Sequence, residues 1–357
     1  MGTFTIVGAG YMGTAMAWPL IDNGHAVNLV GTHLDQEIIQ SCQKTGYHSR
    51  LKRQLPEGVQ PFFIEQLENA LDGAECIIGG INSNGLRWFG QTIGPHLQEG
   101  QSILTVTKGL EVTASGEVLI LPEILYTELP ENIRDQVYRV AIGGPCIAGE
   151  LAGRRQTSIV FGSFHQEVAE KLKKQIQTHY YHIKTTSDLL SLEICAALKN
   201  AYAMAVGFSL GWLDQQSEPD ESNAMAHNME AAIFATAIGE MERFLEMLGA
   251  NPHYASGLPG AGDLFVTCQG GRSSKAGRLL GAGIKQADLQ THMPGVTLES
   301  VDVVKEIGKS FPALVSRYEV PPESFPLMSA LINVIVNKQS PQVVFEAFYP
   351  QNQPEMY

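Results

Sequence analysis

Within the first thirteen residues a short apolar, β-branched run, Thr3-Phe4-Thr5-Ile6-Val7, breaks into Gly8-Ala9-Gly10-Tyr11-Met12-Gly13, and a helical pattern follows at once. No other feature restricts the fold as much. A buried strand that ends in glycines and opens a helix is the first turn of a dinucleotide-binding βαβ unit. Gly8 permits the tight turn, Gly10 lets the backbone approach a pyrophosphate, and Gly13 lets helix and strand pack closely. The helix N-terminus adds partial positive charge. Tyr11 and Met12 fall in the same turn and are assigned with the three glycines to the cofactor.

The rest of the first half continues the alternation. The helix is expected over Tyr11–Asn23, with Ala15, Met16, Leu20 and Ile21 as its apolar stripe, and a second strand over Ala26–Val30. Further strands are expected at Cys76–Ile78, Ser102–Val106, Val137–Ile142 and Thr157–Phe161, most of them separated by helical patterns. This predicts an α/β, Rossmann-like, doubly wound domain over residues 1–187. From Leu189 the pattern changes to long runs rich in Ala, Leu and Met, Leu189–Val206 and Asn228–Leu248. An all-α domain is therefore expected over residues 188–357. The polar, acidic stretch Leu213–Asn223 reads as a solvated loop, and Tyr349–Pro354 as a frayed tail.

A chain of 357 residues fits two cores better than one. Its net charge of -13 argues against broad binding to nucleic acid or to an anionic membrane, both of which need a basic face. Five scattered cysteines without a CxxC pair fit reduced thiols in a cytoplasmic protein, and neither a disulfide framework nor a metal site is expected. The first strand starts too early to leave room for a signal peptide, and no apolar run is read as a membrane span.

Several residues carry candidate chemistry. Lys108 follows the strand at Ser102–Val106, which places it at the carboxyl edge of the sheet, where ligands bind in such folds. Lys199 lies inside the otherwise apolar run Glu193–Met204. There it either snorkels to a surface or sits in a cleft, where desolvation favours proton exchange near neutral pH. Asn200 could orient the reacting group. Asp263 either positions Lys199 or a substrate hydroxyl, or caps the helix that follows it. Arg272, after Gly270-Gly271, suits bidentate capture of a phosphate. At the end of the second strand, Gly31-Thr32-His33-Leu34 carries neither an acidic residue to repel a 2′-phosphate nor an arginine to bind one, and Asp35 follows late.

Thr107-Lys108-Gly109-Leu110-Glu111, Leu198-Lys199-Asn200 and Gly262-Asp263-Leu264-Phe265-Val266-Thr267-Cys268 occur in one order with the glycine loop. The ordered set closely resembles NAD(P)-dependent glycerol-3-phosphate dehydrogenases over nearly the whole chain. The resemblance implies hydride transfer between NAD(P)H and dihydroxyacetone phosphate, giving sn-glycerol 3-phosphate, with Lys199 as proton donor and acceptor and Lys108 and Asp263 as further catalytic residues. It places Thr32, His33, Lys108, Ala148 and Arg272 with the glycine loop at the cofactor. It places Lys108, Gly144, Lys199, Asn200, Asp263, Thr267, Arg272 and Ser273 at the substrate. It also implies a homodimer.

The chain departs from the family pattern at several points. Thr32 stands where members often have Arg, Cys146 where Ser or Thr is usual, Ser273 where Asn is usual, and Pro294 where Glu or Gln is common. Asn82-Ser83-Asn84 replaces a Pro-Ser pattern. The cofactor reading leans to NADP. Two other readings share the architecture. One is a ketopantoate- or opine-type reductase acting on a keto acid, and the other is a dinucleotide-sensing protein without turnover.

Overall fold

The computed structural model describes residues 1–215, 224–341 and 344. The chain forms two compact units, Met1–Lys108 with Ile120–Glu193, and Gly109–Leu119 with Ile194–Tyr357.

The first unit is built on an eight-stranded sheet. Its strands, labelled in chain order, are β1 (Thr3–Val7), β2 (Ala26–Val30), β3 (Val59–Phe62), β4 (Ala74–Gly79), β5 (Ser102–Thr105), β6 (Tyr138–Gly143), β7 (Thr157–Gly162) and β8 (Tyr181–Thr186). They lie in the order β8-β7-β6-β5-β4-β1-β2-β3. All neighbours run parallel except β6 and β7, which pair antiparallel with Ile142 opposite Phe161. The strand order reverses between β1 and β4, and that switch point opens a crevice at the carboxyl ends of the strands.

The central strands are apolar because helices cover both faces; Phe4, Ile6, Leu29, Ile78 and Leu104 are all fully buried. Thr5 and Asn28 are polar but buried, and both side chains donate to the carbonyl of Ala70. Their polarity is therefore satisfied within the core.

The sequence expectations for β1 and β2 match the strands residue for residue. β3 and β8 were not expected. β3 contains Pro61, tolerable because the strand lies at the sheet edge. β8 is the other edge and alternates buried Tyr181 and Ile183 with exposed His182 and Lys184. The first helix runs as Tyr11–Ala15 and Ala17–Asp22.

The second unit is helical, joined by the segment Gly109–Leu119, much of which forms a hairpin of Leu110–Val112 with Val118–Ile120. Helix Leu189–Asp214 extends past the expected end at Val206. By length and composition it could cross a membrane, contrary to the sequence reading, but 94% of its apolar window is buried inside the protein. It is a core helix, apolar on all sides because protein surrounds it.

Helix Arg272–Gly281 packs on it backbone to backbone. A side chain at Gly277 would strike the carbonyl of Met204, and one at Gly281 that of Phe208. This close approach lays the start of one helix beside Lys199 of the other. Glu240, fully buried on helix His227–Met247, accepts from Tyr202 Oη at 2.9 Å and from the N–H groups of Leu327 and Met328. Three helices are thereby pinned at one carboxylate. Leu213 and Asp214 finish the long helix, and Asp214 pairs bidentately with Arg278. The rest of the expected acidic loop from residue 216, and the expected tail, lie outside the described residues.

Candidate active site

In the first unit the glycine loop is shaped by contact with the turn after β4. Gly8 has φ of +108° and donates to Val30 O at 2.8 Å. A Cβ on Gly8 would lie 2.6 Å from Gly80 O, and one on Gly13 would lie 2.7 Å from Gly80 Cα, both backbone atoms that cannot yield. At Gly10 the nearest atom is Gly80 O at 3.4 Å. A side chain there would meet little protein and would fill the space above the loop instead. No side chain caps the helix at Gly10. An open glycine cradle at an uncapped helix start fits a pyrophosphate. Tyr11 is exposed and Met12 half-buried beside it.

The end of β2 differs from the sequence reading. Asp35, which follows that position slightly late in the sequence, is buried, and its Oδ2 accepts from Thr32 N at 3.1 Å, Thr32 Oγ1 at 2.8 Å and Ala9 N at 3.2 Å. An arginine is also present after all. Arg50 comes from the turn after Tyr47–His48, and its guanidinium lies 3.3 Å from Asp35 Oδ1. With His33, Leu34, Gln36, Glu37, Ile38 and Ser49 it lines a cavity of about 470 Å³. His33 is exposed, edge-on to Trp88 at 5.6 Å.

Along the same carboxyl edge, Thr107 is tied by its hydroxyl to Ile81 O at 2.9 Å, which fixes the turn that carries half-buried Lys108. Gly144, with φ of +117°, and half-buried Ala148 follow β6. Glu193 is 1% exposed. Burial pushes its carboxyl up to about 8, against the charge of Lys108, which favours ionisation. Sequence reading missed Glu193, although a glutamate at the head of an apolar run was a usable signal.

In the second unit a cluster forms around Lys199, which is 7% exposed. Its Nζ lies 3.0 Å from Asp263 Oδ1 and donates to Thr267 Oγ1 at 2.7 Å. The Thr267 hydroxyl in turn donates to the backbone carbonyl of Asp263 at 2.7 Å. The ammonium and the carboxylate thus face each other within the helical unit, both buried. Asp263 is the first residue of helix Asp263–Cys268, after a π-helical turn at Leu258–Gly262, and the structure places it against Lys199. Cys268 remains a neutral thiol, pushed up to about 12 by burial.

Asn200 donates to Glu299 Oε2 at 3.3 Å and accepts from Ser273 Oγ at 3.4 Å. Arg272, half-exposed, lies 3.8 Å from Glu299 Oε1. It is the first residue of helix Arg272–Gly281, whose N-terminus no side chain caps. Glu299, which orients both Asn200 and Arg272, was also missed by the sequence reading, for it stands 99 residues from Asn200.

Lys199, Asn200, Asp263, Thr267, Ser273 and Arg272 thus meet in the helical unit. Gly8, Gly10, Tyr11, Met12, Gly13, Thr32, His33, Lys108, Gly144 and Ala148 belong to the carboxyl edge of the sheet in the other unit. A dinucleotide cradle on a doubly wound sheet, with a buried Lys–Asp pair on a helical unit, defines an NAD(P)-dependent oxidoreductase.

Sequence comparison narrows the class. The model of the NAD-dependent glycerol-3-phosphate dehydrogenase N-terminus matches residues 3–169, and that of the C-terminus matches residues 188–346. The chain belongs to the NAD-dependent glycerol-3-phosphate dehydrogenase family. It is 38% identical over 280 residues to an NADP(+)-dependent glycerol-3-phosphate dehydrogenase of Archaeoglobus fulgidus, covering 78% of this chain and 80% of that one. A glycerol-3-phosphate dehydrogenase [NAD(P)+] of Geobacillus thermodenitrificans is 32% identical, with 90% of each chain covered. The crystal structure of glycerol-3-phosphate dehydrogenase from Coxiella burnetii superposes with a TM-score of 0.81 at 25% identity, covering 97% of this chain and 98% of that one.

Proposed function

We propose that the protein interconverts dihydroxyacetone phosphate and sn-glycerol 3-phosphate, with Lys199 as the proton donor and acceptor. The observation that carries this reading is the buried triangle of Lys199, Asp263 and Thr267, at 3.0 and 2.7 Å from the lysine nitrogen. A nicotinamide dinucleotide, which the glycine loop would hold, would supply or accept the hydride. In the reducing direction, Lys199 gives its proton to the ketone oxygen as the carbonyl carbon is reduced, and the amine that results regains a proton from solvent. Asp263 keeps the ammonium form available between turnovers, and Thr267 fixes the direction of the lysine nitrogen. Lys108 contacts cofactor and substrate, and Asn200 and Gly144 position the substrate.

Arg272 and the uncapped start of its helix hold the substrate phosphate. Among the described residues a single carboxylate oxygen, Glu299 Oε1, lies within ion-pair reach of the guanidinium, at 3.8 Å, which leaves donors for a phosphate. Ser273 supports this corner through Asn200. Arg272→Lys keeps the charge but loses the fork. Its kcat/KM for dihydroxyacetone phosphate is expected to fall about ten- to a hundredfold, with a much smaller loss for unphosphorylated dihydroxyacetone. Equal losses on the two substrates would assign Arg272 to the cofactor or the fold instead.

Residues 1–187 serve chiefly the dinucleotide and 188–357 chiefly the substrate and proton transfer, in a cytoplasmic homodimer. Of the two nicotinamide dinucleotides, NADP is favoured, because Arg50 lines the cavity at the end of β2 where a 2′-phosphate would fall. Arg50→Gln is expected to raise the KM for NADPH about tenfold while that for NADH changes less than about twofold. Steady-state kinetics with both cofactors checks this, and an equal rise for both would remove Arg50 from the preference.

A further inference from the structure

His48 is fully buried in the first unit, and no part of the catalytic account uses it. Its Nδ1 accepts from Leu51 N at 3.0 Å, so the proton of the neutral ring sits on Nε2. That Nε2 lies 3.0 Å from Ala9 O, to which it donates, and 3.2 Å from Thr14 Oγ1. Ala9 is the residue between Gly8 and Gly10. Its N–H donates to Asp35 Oδ2 at 3.2 Å. Both backbone polar groups of the residue at the centre of the glycine loop are therefore held by buried side chains from outside the loop. One comes from the end of β2 and the other from the hairpin Tyr47–Gln54.

We propose that His48 and Asp35 are positioning residues that clamp Ala9 and hold the glycine loop in its phosphate-receiving shape, and that protonation of His48 releases its side of the clamp, so that dinucleotide affinity falls in acid. Flexible glycines need such support, because a loop free to adopt many shapes must give up that freedom when it binds. Protonated His48 carries a hydrogen on Nδ1, which then faces the Leu51 N–H, donor against donor. The ring must turn away from Leu51, toward the His48 carbonyl that favours the charged ring, and its bond to Ala9 is strained by that turn.

The charged groups around His48 are few. Asp35, just before helix Gln36–Thr45, favours the imidazolium, and Arg50 in the adjoining turn disfavours it. On the same helix Glu37 and Lys44 are exposed, and Cys42 is kept neutral by burial, which pushes it up to about 11. Arg53 stands opposite His48 in the hairpin. Burial dominates and holds the ring below the ordinary imidazole value of about 6.5, against the Ala9 bond that raises it. The neutral clamp is thus intact at pH 7 and above, and is lost as pH falls through the ring's own value, which burial sets below the ordinary one.

The inference rests on the reading that the glycine loop binds a dinucleotide, and titration calorimetry with NAD+ between pH 5.5 and 8 tests the two separately. NAD+ is the probe because a 2′-phosphate would itself titrate in this window, near pH 6. The wild-type Kd is expected to rise about three- to tenfold from pH 8 to pH 5.5, the loss of one hydrogen bond. His48→Gln keeps a donor for Ala9 and cannot titrate, so its Kd should stay level within about twofold over the same range. A level wild-type profile, or the same acid loss in both proteins, overturns the clamp and leaves the dinucleotide reading standing. No binding of NAD+ at any pH overturns both.

Discussion

Lys199→Met is expected to lower kcat for dihydroxyacetone phosphate by about three orders of magnitude while the Kd for NADPH changes less than about twofold. Methionine has the length of lysine and fits an apolar helix, so the loss isolates the proton. Acid–base assistance from one side chain is worth about 10²–10⁴ in rate, and the nucleotide cradle belongs to a different set of residues. The substitution also leaves Asp263 as a buried carboxylate without its cation, since their side chains are only 8% and 3% exposed. Breaking such a pair costs about 3–5 kcal/mol of stability. The double variant Lys199→Met, Asp263→Asn should recover much of that stability and none of the activity. Stopped-flow single turnover with urea unfolding separates the two effects. A single variant that keeps near-wild-type kcat would show that Lys199 moves no proton.

Gly10→Val is the second large expected effect, and it falls on binding. A Cβ at Gly10 meets only Gly80 O, at 3.4 Å, so the fold accommodates the side chain while the branch occupies the space above the loop. The Kd for NADPH should rise by about two orders of magnitude or more, with an unfolding midpoint within a few degrees of wild type. Gly13→Val gives the contrast. Its Cβ would lie 2.7 Å from Gly80 Cα and 2.8 Å from Gly8 O, so the loop itself must shift. That variant should lose about 1–3 kcal/mol of stability as well as binding. Calorimetric binding with thermal unfolding distinguishes the two glycines. Unchanged affinity in Gly10→Val would take the loop out of the cofactor site.

These contrasts show where the sequence was informative. β1, β2 and the glycine loop are local patterns, with apolar runs, β-branching and glycine confined to a few consecutive residues, and such patterns survive reading one residue at a time. β3 was hidden by Pro61, which is acceptable only because that strand is an edge, a fact of the assembled sheet. Arg50 was invisible for a related reason. It reaches Asp35 across 15 residues through a hairpin of two-residue strands that carry no periodicity. The candidate catalytic residues were legible through family resemblance at Lys199 and Asp263. Glu299, which meets Asn200 and Arg272, and Glu193, which feels the charge of Lys108, were not, because each acts through tertiary contact or burial. At Ser273 the sequence suggested a hydroxyl for the substrate, and in the structure that hydroxyl donates to Asn200.

Whether the Lys199 cluster protonates a phosphorylated ketone during its reduction is decided by initial rates of NADPH and NADH oxidation. Dihydroxyacetone phosphate should be compared with ketopantoate, pyruvate and no substrate at one pH. The kcat/KM for dihydroxyacetone phosphate is expected to be at least about a hundredfold above that for either keto acid, because Arg272 and its helix start are arranged for a phosphate that the keto acids lack. A keto acid turned over as fast or faster, or nicotinamide oxidation no quicker with dihydroxyacetone phosphate than without it, would mean that the Lys199 cluster does not serve this ketone.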